Sequence, residues 1–182
     1  VEAALDFFPA DKPLRFMDLG TGSGCLAVTL AAERPRWAGY AVDISAEALT
    51  VARHNAAVHG VEKRVSFIQA DFTVPLTLNG VFDLVVSNPP YIPTRDLAGL
   101  SVEVKNEPVL ALDGGEDGLL FYRRIAPSFY DTLRPGGFLV FEVGEGEASA
   151  VSDILQQCGY RSIDTRRDYG GIERVVFGQK EF

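Results

Sequence analysis

Asn88-Pro89-Pro90-Tyr91 follows the apolar run of residues 82–87, and its residue types suit the binding of a flat amino group. Proline lacks an N–H and restricts the residue before it to extended conformations, so the sequence predicts a stiff turn at a strand end. Such a turn holds two acceptors, the Asn88 side-chain oxygen and the Pro89 carbonyl, beside the Tyr91 ring. This arrangement suits a planar NH2 group, as on adenine, cytosine, guanine or a carboxamide. The alternative is a strand terminator with a buried tyrosine.

A glycine-rich loop, residues 20–24, follows an earlier strand-like segment that contains Asp18. Its glycines let a ligand approach the backbone, and N–H groups at the start of a helix favour a carboxylate or phosphate. The third glycine comes one residue earlier than in the dinucleotide fingerprint. This spacing favours S-adenosylmethionine over a dinucleotide, and a purely structural glycine turn is the alternative.

Polar residues end four of the predicted strands, namely Asp18, Asp43, Asp71 and Asn88. Ligands of a parallel sheet bind outside the carboxyl ends of its strands, so we expect these side chains to line one crevice. The crevice suits a nucleoside with a ribose and an anionic or zwitterionic tail. The residues predicted to bind the cofactor are Asp18, Gly20, Thr21, Gly22, Gly24, Asp43, Ile44, Asp71, Phe72 and Asn88.

Two parts of this set have alternative interpretations. Asp43 suits hydrogen bonds from two ribose hydroxyls, but it would also help Ser45 to start a helix. Asp71 and Phe72 would meet the exocyclic amine and the face of a purine. They are otherwise a turn aspartate and a core phenylalanine.

Strand-like and helix-like segments alternate along the chain. The pattern predicts strands at residues 14–19, 39–42, 65–70, 82–87 and 138–143, and helices at residues 25–33, 46–59, 119–133 and 147–158. This succession predicts an α/β fold, a doubly wound and mostly parallel sheet, with an antiparallel carboxy-terminal edge from residues 160–166 and 173–178. Residues 1–182 are predicted to form one domain, in which residues 1–8 are the last turns of an upstream helix. The irregular residues 92–118 are long enough to be a functional loop.

The formal net charge of −8 argues against a broad phosphate-binding surface. A local basic patch, formed by Arg161, Arg166, Arg167 and Arg174, stays open. Nucleic acid is therefore not an expected partner.

The two cysteines, Cys25 and Cys158, match no metal spacing, and neither do His54 and His59. We expect no metal, free thiols and a cytoplasmic protein. The sequence has neither a long apolar run nor a signal peptide pattern, so no membrane association is expected.

Several segments together resemble a known family, the release-factor glutamine methyltransferases (HemK/PrmC). The loop from Asp18 to Gly24 resembles the cofactor loop of class I methyltransferases, and residues 88–91 resemble the motif of those that methylate planar amino groups. Three further segments are similar to this family, residues 106–119 (NEPVLALDGGEDGL), 142–144 (EVG) and 167–174 (RDYGGIER).

The resemblance implies a Rossmann-like catalytic domain that uses S-adenosylmethionine to methylate N5 of a glutamine. The acceptor would be the Gly-Gly-Gln loop of class I peptide chain release factors. Asn88, Pro89 and Tyr91 would be catalytic, and Pro90 and Glu107 would join them in binding the substrate. The chain departs from the family in two ways: the amino-terminal helical domain is absent, and the turn after residue 144 is shorter.

Three other functions remain open. A DNA or RNA methyltransferase acting on adenine N6 or guanine N2 would use the same Asn88 pocket on a flipped base. A nicotinamide-dependent oxidoreductase would share the glycine loop but gives no reason for Asn88-Pro89-Pro90-Tyr91. A noncatalytic module would bind the cofactor without turnover.

Overall fold

The computed structural model describes residues 1–74, 76, 80–100 and 108–181. The strands in these residues are β1 (Leu14–Leu19), β2 (Trp37–Asp43), β3 (Val65–Gln69), β4 (Phe82–Ser87), β5 (Leu133–Glu142), β6 (Arg161–Arg167) and β7 (Glu173–Gln179). The α-helices are α1 (Glu2–Asp6), α2 (Cys25–Glu33), α3 (Ala46–Val58), α4 (Leu120–Tyr130) and α5 (Ala148–Gln157). Between β4 and α4, the described residues include two short 3-10 turns, Thr94–Gly99 and Val109–Ala111.

The strands form one sheet in the order β3-β2-β1-β4-β5-β7-β6. Strands β1 to β5 are parallel, and β7 runs antiparallel to both β5 and β6. The predicted α/β fold, with its mostly parallel sheet and antiparallel carboxy-terminal edge, is confirmed. Because β1 lies between β2 and β4, the winding reverses there, and open sheets of this kind bind ligands at such a point.

Apolar side chains cover both faces of the sheet, as parallel strands require. Along β1, Phe16 packs with residues of α2 and α3 on one face. Met17, the next residue, packs with residues of α4 and α5 on the other face. The helices therefore shield the sheet from both sides, which is what a doubly wound arrangement means.

The strand β5 begins earlier than the sequence indicates. The pattern predicts a helix up to residue 133 and a strand from residue 138, but β5 already begins at Leu133. Leu133 pairs with Phe82, and the register then shifts along β5. Residues 135–137, Pro-Gly-Gly, lie in this irregular stretch. A proline is tolerated there because the regular hydrogen-bond ladder between the strands is already interrupted. The predicted boundary is wrong because this segment is a bulge within the strand.

The helix α3 begins as the sequence predicts. Ser45 is its N-cap, and its side chain accepts a hydrogen bond from the Ala48 N–H at 3.1 Å. Both cysteines are free, Cys25 being exposed and Cys158 half-buried. Across the described ranges, no helix combines the length and apolar character that a membrane crossing demands.

The strand ends of the central sheet are aligned with one another. Leu19 pairs with Val42 of β2 and with Ser87 of β4. The Ser87 hydroxyl donates a hydrogen bond to the Leu19 carbonyl at 2.8 Å, which ties β1 to β4 at this level. Gly20 and Asn88 therefore leave the sheet side by side, next to Asp43 at the end of β2.

Gly39 offers a test of how closely β1 and β2 approach. A methyl group on Gly39 would overlap the Phe16 carbonyl and lie 2.7 Å from its ring. We expect Gly39→Ala to lower the free energy of unfolding by about 2 kcal/mol. The thermal midpoint should fall by roughly 4 to 8 °C. Gly99→Ala is the control, because nothing lies within 4 Å of its added methyl group. Equal midpoints for the two variants would contradict the packing.

Candidate active site

Asn88 leaves the sheet directly after β4. All residues of β4 are buried, whereas Asn88 is exposed. Pro89 is buried, and Pro90 and Tyr91 are half-buried. The prolines thus pack inward and hold the Asn88 side chain outside, at the carboxyl edge where the sequence places it.

Glu142, the last residue of β5, lies beside Asn88. Ser87 pairs with Phe141 in the ladder, so Asn88 and Glu142 are next in register on neighbouring strands. The Asn88 side chain favours the charged form of Glu142 and so lowers its pKa. Because an ionised carboxylate only accepts, the group of Asn88 that suits it is the NH2, which would leave Oδ1 for another donor. Sequence reasoning missed this role of Glu142, and only the strand register could have indicated it.

The charge of Glu142 is set by several neighbours. Burial raises the pKa of Glu142, while Arg174 and the Asn88 side chain favour its charged form. The Arg174 Nε lies 3.4 Å from Asp168 Oδ2. This ion pair joins the turn after β6 to β7, so it holds Arg174 within the carboxy-terminal hairpin.

A glycine segment, Gly114-Gly115, forms hydrogen bonds with the backbone that follows Tyr91. The Ile92 carbonyl accepts a hydrogen bond from the Gly114 N–H at 2.8 Å, and the Gly115 carbonyl accepts one from the Thr94 N–H at 2.9 Å. A methyl group on Gly114 would lie 2.7 Å from the Tyr91 Cα, so only glycine fits there. These bonds join the chain just after Tyr91 to residues 114 and 115, and a function for the irregular residues 92–118 stays a prediction. Glu107 lies outside the described residues.

The turn after β5 forms the opposite side of Tyr91. A methyl group on Gly144 would lie 3.1 Å from the Tyr91 ring. The Glu147 carboxylate accepts hydrogen bonds from the Gly144 N–H at 3.0 Å and from the Tyr122 hydroxyl at 3.4 Å. Burial raises the pKa of Glu147, and these donors partly offset that effect. Glu147 therefore stabilises the turn at Gly144, which lies next to the Tyr91 ring.

Asp18 fastens the glycine loop to α2. Its Oδ2 accepts hydrogen bonds from the Thr21 hydroxyl at 2.6 Å and from the Ala27 N–H at 3.1 Å. Its Oδ1 is buried and has no hydrogen-bond partner among the described residues. Gly24, at the start of α2, has φ +84°, and a methyl group there would lie 3.0 Å from Ala52.

Asp43 fastens the same loop to α3. Its Oδ2 accepts the Gly22 N–H at 2.8 Å, and its Oδ1 accepts the Ser45 N–H at 2.9 Å. The contact with Ser45 is the helix-starting role weighed as an alternative. Each oxygen still has a second lone pair, so this role leaves acceptors for ribose hydroxyls.

Asp71 and Phe72 lie beside the loop in different environments. Asp71 is exposed, and its Oδ1 accepts from the Thr73 hydroxyl at 2.7 Å and the Thr73 N–H at 2.8 Å, which lowers the pKa of Asp71. Phe72 is 7% exposed. Its ring would lie 3.4 Å from a methyl group on Gly20, and it packs on Phe121 with ring centroids 5.9 Å apart. Phe72 is thus mainly a packing residue next to the loop, and its contact with a purine stays a prediction.

The arginines near the carboxy terminus are largely paired. Arg166 lies 3.6 Å from Asp164, and Arg167 lies 3.7 Å from Glu173. Together with the pairing of Arg174, these contacts balance most of the positive charge of the segment. The local basic patch considered from the sequence is therefore mostly neutralised.

The residues at this edge fit S-adenosylmethionine. Gly20 and Gly22 both have positive φ, +71° and +55°, and a methyl group on Gly22 would meet nothing within 4 Å. The loop backbone thus faces open space at Gly22. Asp18 and Asp43 offer acceptors for ammonium and hydroxyl donors, and Ile44, which is 52% exposed, offers an apolar surface beside them. A cofactor with a charged tail, a ribose and a flat base has a suitable group here for each part.

The fold and the site together define a Rossmann-like class I methyltransferase. The family model described as the methyltransferase small domain matches residues 2–103. The chain belongs to this family, and the predicted class, an S-adenosylmethionine-dependent methyltransferase, is confirmed.

Curated relatives carry a more specific name. The release factor glutamine methyltransferase of Moorella thermoacetica is 46% identical over 182 residues, which cover 99% of this chain and 64% of that protein. The protein of the same name from Caulobacter vibrioides is 42% identical over 181 residues, which cover 99% of this chain and 62% of that protein. The predicted resemblance to these enzymes is confirmed, and the chain spans less than two thirds of their length.

Solved structures share the fold at low sequence identity. A methyltransferase from Pyrococcus furiosus has a TM-score of 0.72 at 18% identity, covering 100% of this chain and 81% of that chain. The ribosomal protein L11 methylase from Lactobacillus delbrueckii subsp. bulgaricus has a TM-score of 0.65 at 22% identity, covering 94% and 72%. At these identities the likeness shows the fold alone.

Asp18 makes the stability of the protein depend on pH. Burial raises the pKa of Asp18 from 3.8 to about 6, against the opposing hydrogen bonds from Thr21 and Ala27. Between these two values the folded state binds more protons than the unfolded state. The free energy of unfolding therefore falls as the pH rises through this window, by at most about 3 kcal/mol.

Urea unfolding at several pH values between about 4 and 7 measures this contribution. Asp18→Asn should lack it, so the difference in stability between parent and variant should change across the window. Asp153→Asn, on the exposed side of α5, is the matched control and should keep the pH dependence of the parent. Parallel pH profiles for the parent and Asp18→Asn would contradict the raised pKa.

Proposed function

We propose that this chain is the catalytic domain of a protein-glutamine N5-methyltransferase. Its substrate would be the Gly-Gly-Gln loop of class I peptide chain release factors, and S-adenosylmethionine would be the methyl donor. The observation that carries the proposal is the exposed Asn88 amide, which directly follows the buried strand β4, precedes two prolines and Tyr91, and is next in register to Glu142. The names of the curated relatives support the choice of substrate.

The proposed catalytic residues overcome the weak nucleophilicity of an amide nitrogen, whose lone pair is delocalised into the carbonyl. Asn88 Oδ1 and the Pro89 carbonyl would accept the two N–H groups and favour a pyramidal nitrogen as positive charge develops there. Tyr91 would cover one face of the amide. S-adenosylmethionine supplies an electrophilic methyl group. The methylated nitrogen is acidic and loses its proton afterwards, so we assign no general base and no metal.

The cofactor would lie along the edge formed by the glycine loop and the ends of β1 and β2. Residues 20–24 and Asp18 would hold its charged tail, and Asp43 would accept the ribose hydroxyls. Ile44, Asp71 and Phe72 would border the base. Pro90 and Glu107 would help to form the substrate entrance.

Methylation of a nucleobase is the second candidate, because adenine N6 or guanine N2 also presents a planar amino group to Asn88. The net charge of −8 and the paired arginines of β6 and β7 disfavour it, since a nucleic acid requires a basic surface. We therefore propose a protein partner and no nucleic acid. A cytoplasmic site of action agrees with the free cysteines.

Two variants separate cofactor binding from chemistry. Asn88→Ala should leave the affinity for S-adenosylmethionine within a few-fold and lower turnover roughly 100- to 1,000-fold. Asp43→Ala should instead weaken cofactor binding by about 1.5 to 3 kcal/mol, measured by calorimetry. Gln157→Ala, an exposed amide at the end of α5, is the control and should change neither quantity. Near-full turnover in Asn88→Ala would mean that Asn88 only terminates a strand.

The substrate is tested by transfer of a labelled methyl group. We expect label on a release factor, none on the same protein after its loop glutamine is changed to alanine, and none on single- or double-stranded DNA or RNA. A chain extended at its amino end should be assayed in parallel, because the 182-residue chain spans only 64% of its Moorella relative. Label on nucleic acid, with the release factor unmodified by both chains, would overturn the proposal in favour of the second candidate.

A further inference from the structure

The Asn88 side chain could point either its oxygen or its NH2 group toward the substrate. A carboxamide has an oxygen that accepts and an NH2 that donates, and rotation by half a turn exchanges their positions. If Asn88 turned its NH2 toward the substrate, two donors would face each other. Some group must therefore hold the orientation that presents the oxygen.

Glu142 has the position and the chemistry for this task. The ladder places it next to Asn88 on the neighbouring strand, and the Asn88 side chain favours the charged form of its carboxylate. Glu142 is half-buried, so this contact lies partly out of water. A carboxylate cannot donate, so it accepts the NH2 of Asn88 and disfavours the reversed amide.

The carboxy-terminal hairpin fixes the backbone of Glu142, which pairs with Val175 of β7. Arg174 of β7 favours its charged form, and Arg174 is paired with Asp168 in the turn between β6 and β7. The Glu142 carbonyl also accepts the Tyr122 hydroxyl at 3.0 Å. The backbone of Val143 adds a hydrogen bond from its N–H to the Arg174 carbonyl at 2.9 Å. The end of β5 is thus fixed on both sides.

We propose that Glu142 is a positioning residue that acts through Asn88, orienting its amide so that Oδ1 meets the amino group of the acceptor. Arg174 and Asp168 support it by holding its carboxylate in place. The inference rests on the proposed function. It names Glu142 as the residue that lets Asn88 accept a hydrogen bond from the substrate instead of donating one.

Nuclear magnetic resonance tests the orientation without any activity. The side-chain NH2 signals of Asn88 in a 15N-labelled sample are identified by their loss in Asn88→Ala. We expect one of these protons to be shifted downfield by the carboxylate and to return toward the usual amide position in Glu142→Ala. Signals at the usual position in the parent protein would overturn the inference, and this measurement requires no folded Glu142 variant.

A double-mutant cycle tests the role in catalysis. Glu142→Ala should lower turnover about 10- to 100-fold, the range for a lost hydrogen bond to a charged group, without changing cofactor affinity. Glu142→Gln should lose less, because its Oε1 still accepts. In the Asn88→Ala background, Glu142→Ala should cause no further loss, because a residue that acts only through Asn88 has nothing left to orient. Glu33→Ala, at the exposed end of α2, is the control.

The outcomes separate the two proposals. Losses that multiply in the double variant, or full turnover in Glu142→Ala, would overturn the positioning role while leaving glutamine methylation intact. If neither the 182-residue chain nor the longer chain methylates a release factor, the proposed function fails. The resonance shift of Asn88 still decides whether Glu142 orients the amide.

Discussion

The alignment of strand ends in the parallel sheet is the constraint on which the rest of the structure depends. Leu19 pairs with Val42 and with Ser87, and Ser87 pairs in turn with Phe141. The residue after each of these therefore reaches the edge of the sheet at the same level as its neighbours. A slip of one residue in any pair would turn a strand's side chains to the opposite face. The glycine loop, Asp43 and the Asn88–Glu142 pair all lie close together because of this single alignment.

Polar contacts then hold the loop where apolar packing does not reach. Asp18 joins it to α2 through Thr21 and Ala27, and Asp43 joins it to α3 through the Gly22 N–H. Burying Asp18 disfavours its charged form, and the raised pKa of Asp18 is the measure of that cost. The same oxygens that fix the loop have lone pairs left for a ligand. In the proposed function, the stability of the loop and the binding of the cofactor therefore depend on the same two carboxylates.

The sequence predicts well what depends on neighbouring residues. Asn88 at a strand end and the Ser45 cap both follow from local chemistry, and the structure places each of them as expected. The early start of β5 and the contact of Glu142 with Asn88 depend on how distant strands align. No local pattern contains that information. The same holds for the glycine segment that braces Tyr91, because it joins residues far apart in the chain.

The proposed acceptor pair at Asn88 and Pro89 would account for the chemistry of the site better than for its selectivity. A carboxamide and a nucleobase amine both present two N–H groups, so these acceptors suit either one. Selectivity must then come from the surfaces that meet the rest of the acceptor molecule. A nucleic acid carries many negatively charged phosphates. This chain has a net charge of −8, and three of its carboxy-terminal arginines are already paired with carboxylates, so it attracts phosphates weakly. A glycine-flanked protein loop brings no such charge and needs only a narrow opening. The balance of charge, more than the geometry at Asn88, therefore favours a protein substrate.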